Sequence, residues 1–261
     1  MDDLESFESP KILISGAKTS IENFTSECSS FIDNCTYDIV RHIDPQTEQQ
    51  VIKLRFHHRI PPKMRIAASH VVNDLRHALD HSVCEAAVLL GRANGKGVYF
   101  PFGRTQKNLD EQIAAHCKNV HTDLIIFIRT FKPHYGGDDL LYALSALAGQ
   151  NKHQHILRIS RGSKGFVIES KDYPWMLNPT AGTTIGISKW NDLRNELEFI
   201  RFGKGVTGNI DARPVIQVVL GTGEAPLADP APTVLNAFAG KVEGIVLGIE
   251  AETRRIIAAR L

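Results

Sequence analysis

The sequence predicts an α+β fold: a helical core built around one long helix, at about 62–92, with an antiparallel sheet drawn from the second half. Three observations lead there. Apolar residues recur at helical spacing through most of the first 155 residues, strand-like runs joined by Gly-rich turns follow, and a helical period returns from Thr233 to Leu261. Helices, then strands, then a helix argue against the alternating order of a parallel α/β sheet. The expected organisation is a helical domain over 1–155 with an inserted β-hairpin at 37–59. A β-rich region with a C-terminal helix, 156–261, is expected to pack as one unit with it.

The elements follow in order. Ile12, Ile14, Ala17, Ile21, Phe24, Cys28 and Phe31 predict a helix over 8–34. Tyr37–Ile43 and Gln50–Arg59 predict the hairpin, turned at Asp44-Pro45-Gln46-Thr47. Pro61-Pro62 opens the long helix with a fixed φ and no wasted N–H, and Gly91 ends it near Arg92. Gly97–Phe102 reads as extended, and helices are expected near 107–119, 121–131 and 138–154, with Phe127, Phe131 and Tyr142 in the core. Strands are expected at 156–160, 165–169, 183–190, 196–202 and 215–219. The terminal helix carries Val234, Phe238, Val242, Ile245, Ile249 and Ile256 on one side. Gly203-Lys204-Gly205 lacks the order of a phosphate loop and reads as a turn.

The bulk properties bound the function. The 261 residues are 43% apolar and 23% charged, with a net charge of +1, so no global basic excess advertises nucleic acid. Met1 to Glu5 is acidic and polar, so no signal peptide is expected, and the longest apolar runs, such as Leu124–Ile128, are too short to span a bilayer. The four cysteines show no C-x-x-C spacing, so a reducing, cytoplasmic setting is expected.

The chemistry concentrates in Ser69 to His81, where three histidines, an arginine and two aspartates fall in thirteen residues of the long helix. At 100° per residue His70, Asp74, His77, His81, Cys84 and Glu85 share one stripe, flanked by Asn73, Arg76 and Asp80. Leu75, Leu79, Ala86, Leu90, Val72 and Val83 take the opposite face. Of three Arg-x4-His pairs, only Arg76…His81 has a polar residue after its arginine, His77, and an adjoining acid, Asp80.

Arg76-x4-His81 resembles the signature of the HEPN superfamily, helical bundles that carry this motif on a core helix. In many members a dimer assembles two copies into a metal-independent ribonuclease centre. The resemblance implies RNA as partner, a homodimer through the long helix, no membrane and no cofactor. Arg76 would hold a phosphate, His81 would act as acid or base, Asp80 would orient Arg76 and His77 would assist. A second resemblance, to bacterial proteins without an assigned function, rests on Asn73–His81, Phe100-Pro101-Phe102 and Asn151-Lys152-His153-Gln154-His155. The sequence departs from that pattern at Asn151, where the family has Asp, and at Gln154 or His155, where it has Arg. This likeness groups Arg76, Asp80 and His81 with Lys152 and His153. Asn73, Lys152, His153 and Arg158 are the expected substrate-binding residues.

Other readings stay open. Arg76, Asp80, His81, Lys152 and His153 form, on the alternative, a structural polar network in a non-catalytic binding or assembly protein. A metal site could draw on His70, Asp74, His77, His81 and His153, although no H-E-x-x-H motif is present. Cys84 reads as a buried small residue, with a Cys–His nucleophile as the minor option. Arg158, Arg161 and Lys164 read as a solvated basic turn, or as phosphate contacts.

Overall fold

The computed structural model describes residues 6–153, 157–167, 184–191, 193–208, 213–221 and 229–260. Among these residues six helices and six strands make an α+β fold. The helices are α1 (Glu8–Asp33), α2 (Pro62–Leu89), α3 (Gln106–His116), α4 (Thr122–Thr130), α5 (Asp139–His153) and α6 (Ala231–Ala258). The strands are β1 (Tyr37–Ile43), β2 (Gln50–Phe56), β3 (Arg158–Val167), β4 (Thr184–Asn191), β5 (Glu196–Arg201) and β6 (Arg213–Gly221). No helix among the described residues is long and apolar enough to cross a membrane.

The chain divides into two compact units, and the division is not sequential. One unit takes 1–25, 65–157 and 232–261, and the other takes 26–64 and 158–231. The boundary therefore differs from the expected cut after residue 155. The hairpin joins the β unit because β2 pairs with β5 from Val51↔Arg201 to Arg55↔Glu196, with one register shift between Ile52 and Lys53. The terminal helix joins the helical unit, where Lys11–Glu250 and Lys18–Glu243 ion pairs, each 2.6 Å, tie α6 to α1.

In the helical unit, α2 buries Ala68, Val71, Val72, Leu75, Ala78, Leu79, Val83 and Ala86. The i, i+3, i+4, i+7 spacing of these residues puts them on one face. The helix stops at Gly91, whose φ of +105° a residue with a Cβ rarely adopts. Gly91 N donates to Val88 O and Arg92 N to Ala87 O, each at 3.0 Å, so a Schellman cap satisfies the last carbonyls. On α1, Ile14, Ala17, Ile21, Phe24 and Cys28 are buried, whereas Ile12 is exposed. Phe127, Phe131 and Tyr142 are only half-buried, not core. The rings of Phe127 and Phe131 pack edge to face, with centroids 5.0 Å apart, against a notch at Gly248 of α6. A Cβ at Gly248 would stand 3.2 Å from Phe127 Cζ. Gly248→Val should then cost about 2 kcal/mol by overpacking, while Gly248→Ala, gaining helix propensity, should be close to neutral. Denaturant melts of the two variants check this.

In the β unit a four-stranded antiparallel sheet runs β1-β2-β5-β4, and β3 pairs with β6 in a two-stranded sheet. Two strands were expected at 156–160 and 165–169, but the described part is one strand, Arg158–Val167. Its register against β6 shifts between Ser163 and Phe166, so Lys164 and Gly165 form an irregularity in the strand where a turn was expected. Residues 168 and 169 lie outside the described residues. β5 is central, and Leu197, Phe199 and Ile200 are buried alongside Glu196 and Glu198. Those two acids have arginine partners: Arg55 Nη2 reaches Glu196 Oε1 at 2.7 Å, and Arg201 Nε reaches Glu198 Oε1 at 2.9 Å. Lys204-Gly205 is a turn, closed by Val206 N to Gly203 O at 3.0 Å with Gly205 at φ +76°.

The hairpin turn carries an acid-sensitive contact. Arg201 Nη1 donates to Asp44 Oδ2 at 2.8 Å, and Gln46 N to Asp44 Oδ1 at 3.0 Å. These bonds favour the carboxylate and pull the Asp44 pKa from 3.8 down to about 2. A lowered acid pKa contributes stability above 3.8 that is lost as pH falls toward 2. Carboxyl titration by NMR should find Asp44 near 2, and Arg201→Gln should return it toward 3.8.

Candidate functional site

The residues that the sequence groups on α2 separate into a buried set and an exposed set. Asp80 is buried and Arg76 half-buried, with side chains 11% and 16% exposed. Arg76 Nη2 lies 3.2 Å from Asp80 Oδ1, one turn away, and donates to Phe100 O at 3.0 Å. Asp80 Oδ1 also accepts from Phe100 N at 2.9 Å. The two side chains thus bind both backbone groups of one residue, as a neighbouring strand would. The Arg76 guanidinium lies 4.0 Å from the centroid of the Phe102 ring. Burial pulls the Arg76 pKa down, and Asp80 pushes it back up. Arg76 Nη1 and Asn73 Oδ1 are buried without a hydrogen-bond partner among the described residues.

This arrangement explains why 97–102 needs no strand pairing. Phe100 is buried at 1% exposure, and its backbone is satisfied by the α2 side chains. Two thiols hold the same segment. Cys84 Sγ donates to Val98 O at 3.1 Å, and Cys117 Sγ to Tyr99 O at 3.5 Å. Burial pushes the Cys84 thiol up and that of Cys117 to about 11, so Cys84 is a tethered thiol and not an activated nucleophile. All four cysteines are free.

His77 and His81 stand on the outer face of α2, both exposed. His81 Nδ1 is 2.7 Å from Ser9 Oγ at the start of α1. Glu85, one turn on, accepts from Phe7 N at 2.5 Å, and burial raises its pKa. Arg76 turns toward Phe100 and Phe102 while His81 turns toward Ser9, so the two residues of the Arg-x4-His motif have separate partners within one chain. The side chains of Lys152, His153 and Arg158 lie outside the described residues. Among the described residues no three His, Cys, Asp or Glu side chains form a metal-binding group, so His70, Asp74, His77 and His81 do not make one.

Arg161 corrects the expected basic turn. It is 1% exposed, the largest fully buried side chain described. Its guanidinium carbon lies 4.2 Å from the Phe56 ring centroid, 4.8 Å from that of Phe31 and 5.5 Å from that of Trp190. Nη1 donates to Asn195 Oδ1 at 2.8 Å and Nη2 to His58 O at 2.5 Å. Burial lowers its pKa, opposed by the Cys35 thiol beside it. An arginine in this cage joins strands to loops and is closed to a phosphate. Sequence reasoning missed it because period-2 alternation does not distinguish a buried cation from a solvated one.

Compared with protein families, characterised proteins and solved structures, the chain matches none.

Proposed function

We propose that the protein is a non-catalytic binding or assembly protein, in which Arg76 and Asp80 are a structural clamp on the helical scaffold. One observation carries this reading: Asp80 Oδ1 and Arg76 Nη2 together hold the N–H and the C=O of Phe100. A phosphate taking over Arg76 Nη2 would leave the buried Phe100 O unpaired, at about 1–3 kcal/mol. The clamp also gives Asp80 a purpose that needs no substrate.

A second reading, an HEPN-like metal-independent ribonuclease, is favoured by one specific feature. His77 and His81 are exposed one turn apart on α2, open to RNA and to a second copy of the chain. In that reading Arg76 is the phosphate ligand, and His81 is the acid or base.

Cleavage of end-labelled RNA by wild type and His81→Ala, with chelator present and melting curves alongside, separates the two. The binding reading expects no chelator-resistant cleavage and an early melt of clamp variants. Cleavage lost in a His81→Ala protein that melts normally establishes the ribonuclease instead.

A further inference from the structure

Beyond the C-terminal end of α2 the helical unit has an open pocket of about 600 Å³. That volume lies in the range of small-molecule sites. Its lining includes the polar residues Arg92, Asn94, His121 and Thr122 and the apolar residues Leu90 and Val120. No Asp or Glu lines it.

Arg92, Asn94 and His121 are each held so that a donor is left over, and Arg92 Nη1 is buried without a hydrogen-bond partner among the described residues. The Schellman cap at Gly91 turns the chain out of α2 directly before Arg92. Arg92 is fixed by donation from Nη2 to Lys96 O at 3.0 Å. Asn94 Oδ1 accepts from Lys96 N at 3.0 Å, which leaves its NH2 group as a donor. His121 Nδ1 accepts from Asp123 N at 3.3 Å, which places the ring proton on Nε2. A further cation, Arg260, donates to Leu90 O of the wall at 3.1 Å. The acid next in sequence, Asp123, is drawn to Arg255 at 3.5 Å. The α4 helix begins at this wall, and its aligned peptide dipoles add to the positive field.

We propose that this pocket binds a phosphomonoester of a small organic molecule. Arg92, Asn94 and His121 hold the phosphate, and the organic body lies against Leu90 and Val120. Three separate donor groups suit an anion with three free oxygens better than a two-oxygen carboxylate. The volume exceeds what inorganic phosphate fills, which leaves room for the body. The proposal rests on the binding reading above only in naming the ligand, because Arg92 and Asn94 take no part in the clamp.

The test is calorimetric titration of the full chain with AMP, inorganic phosphate and adenosine as probes. AMP should bind saturably, phosphate more weakly, and adenosine not at all. Arg92→Gln should weaken AMP by about tenfold or more, the worth of one charge-assisted hydrogen bond. Asn94→Asp keeps the acceptor for Lys96 N, so the loop stays closed, but puts a carboxylate in the wall; it should weaken AMP at least as much. No saturable binding of AMP or phosphate to wild type overturns the proposal. So does equal binding of adenosine, or binding that neither variant changes. A silent titration beside clamp variants that still melt early removes the ligand and leaves the scaffold reading standing. Normal titration beside clamp variants that melt like wild type does the reverse.

Discussion

Asp80→Ala should lower the stability of the helical unit by about 3 kcal/mol, the usual cost of breaking a largely buried ion pair. For a chain of this size that is a melting shift of about 6–12 °C. Two losses combine. The Arg76 guanidinium keeps its buried position without its counter-charge, and Phe100 N loses the acceptor at 2.9 Å. Arg76→Met should destabilise too, because Phe100 O loses its donor and Asp80 its counter-charge, although the methionine still covers the Phe102 ring. The double variant Arg76→Met with Asp80→Leu should melt above Asp80→Ala alone, since neither charge is then buried unpaired. Circular dichroism melts of the three proteins decide it. A shift under about 2 °C for Asp80→Ala, well below what breaking a buried ion pair gives, would mean the clamp is not structural. Residual RNA cleavage in the same samples would then point to the exposed histidines.

Arg161→Ala should destabilise the β unit by about 4 kcal/mol, comparable to removing a buried aromatic. The loss has two parts. A large, fully buried side chain leaves a void among Phe31, Phe56 and Trp190. Asn195 Oδ1 also loses its donor. His58 O is spared, because Asn195 Nδ2 still donates to it at 3.0 Å. Arg161→Met separates the parts: it fills most of the volume and should cost about half as much, since replacing a buried charge by an apolar side chain of similar size relieves its desolvation. Arg161→Lys should behave worse than methionine, because an ammonium is a strongly hydrated point charge without a planar face for the rings. Urea unfolding followed by tryptophan fluorescence reads the effect, with Trp190 in the cage as one of the two reporters. A cost below about 1 kcal/mol for Arg161→Ala would show that the cage repacks without it.

The helices were legible because each buries one face, and a 3.6-residue period writes that face into the sequence. Ile14 to Cys28 on α1, Met64 to Ala86 on α2 and Val234 to Ile256 on α6 are all buried as their spacing requires. The hairpin was legible from its turn, where Asp44 and Pro45 stand between two β-rich runs. The strand at Arg158–Val167 was misread as two, because glycine in a strand and glycine in a turn look alike until a partner strand is known.

The site divides in the same way. The sequence by itself determined that Arg76, His77, Asp80 and His81 all lie on α2. Local spacing places Arg76 and Asp80 one turn apart, and nothing else is needed for their pairing. Only the tertiary structure decided where the pair points. It points at the backbone of Phe100, twenty residues beyond Asp80, while His81 finds Ser9 across to α1. It also decided that Arg161 is buried in an aromatic cage and that Arg92 faces a pocket. The reason is physical. Helical and strand periods are set by bonds between near neighbours, whereas the partner of a charged side chain is set by desolvation, and that is known only once the rest of the chain has packed around it.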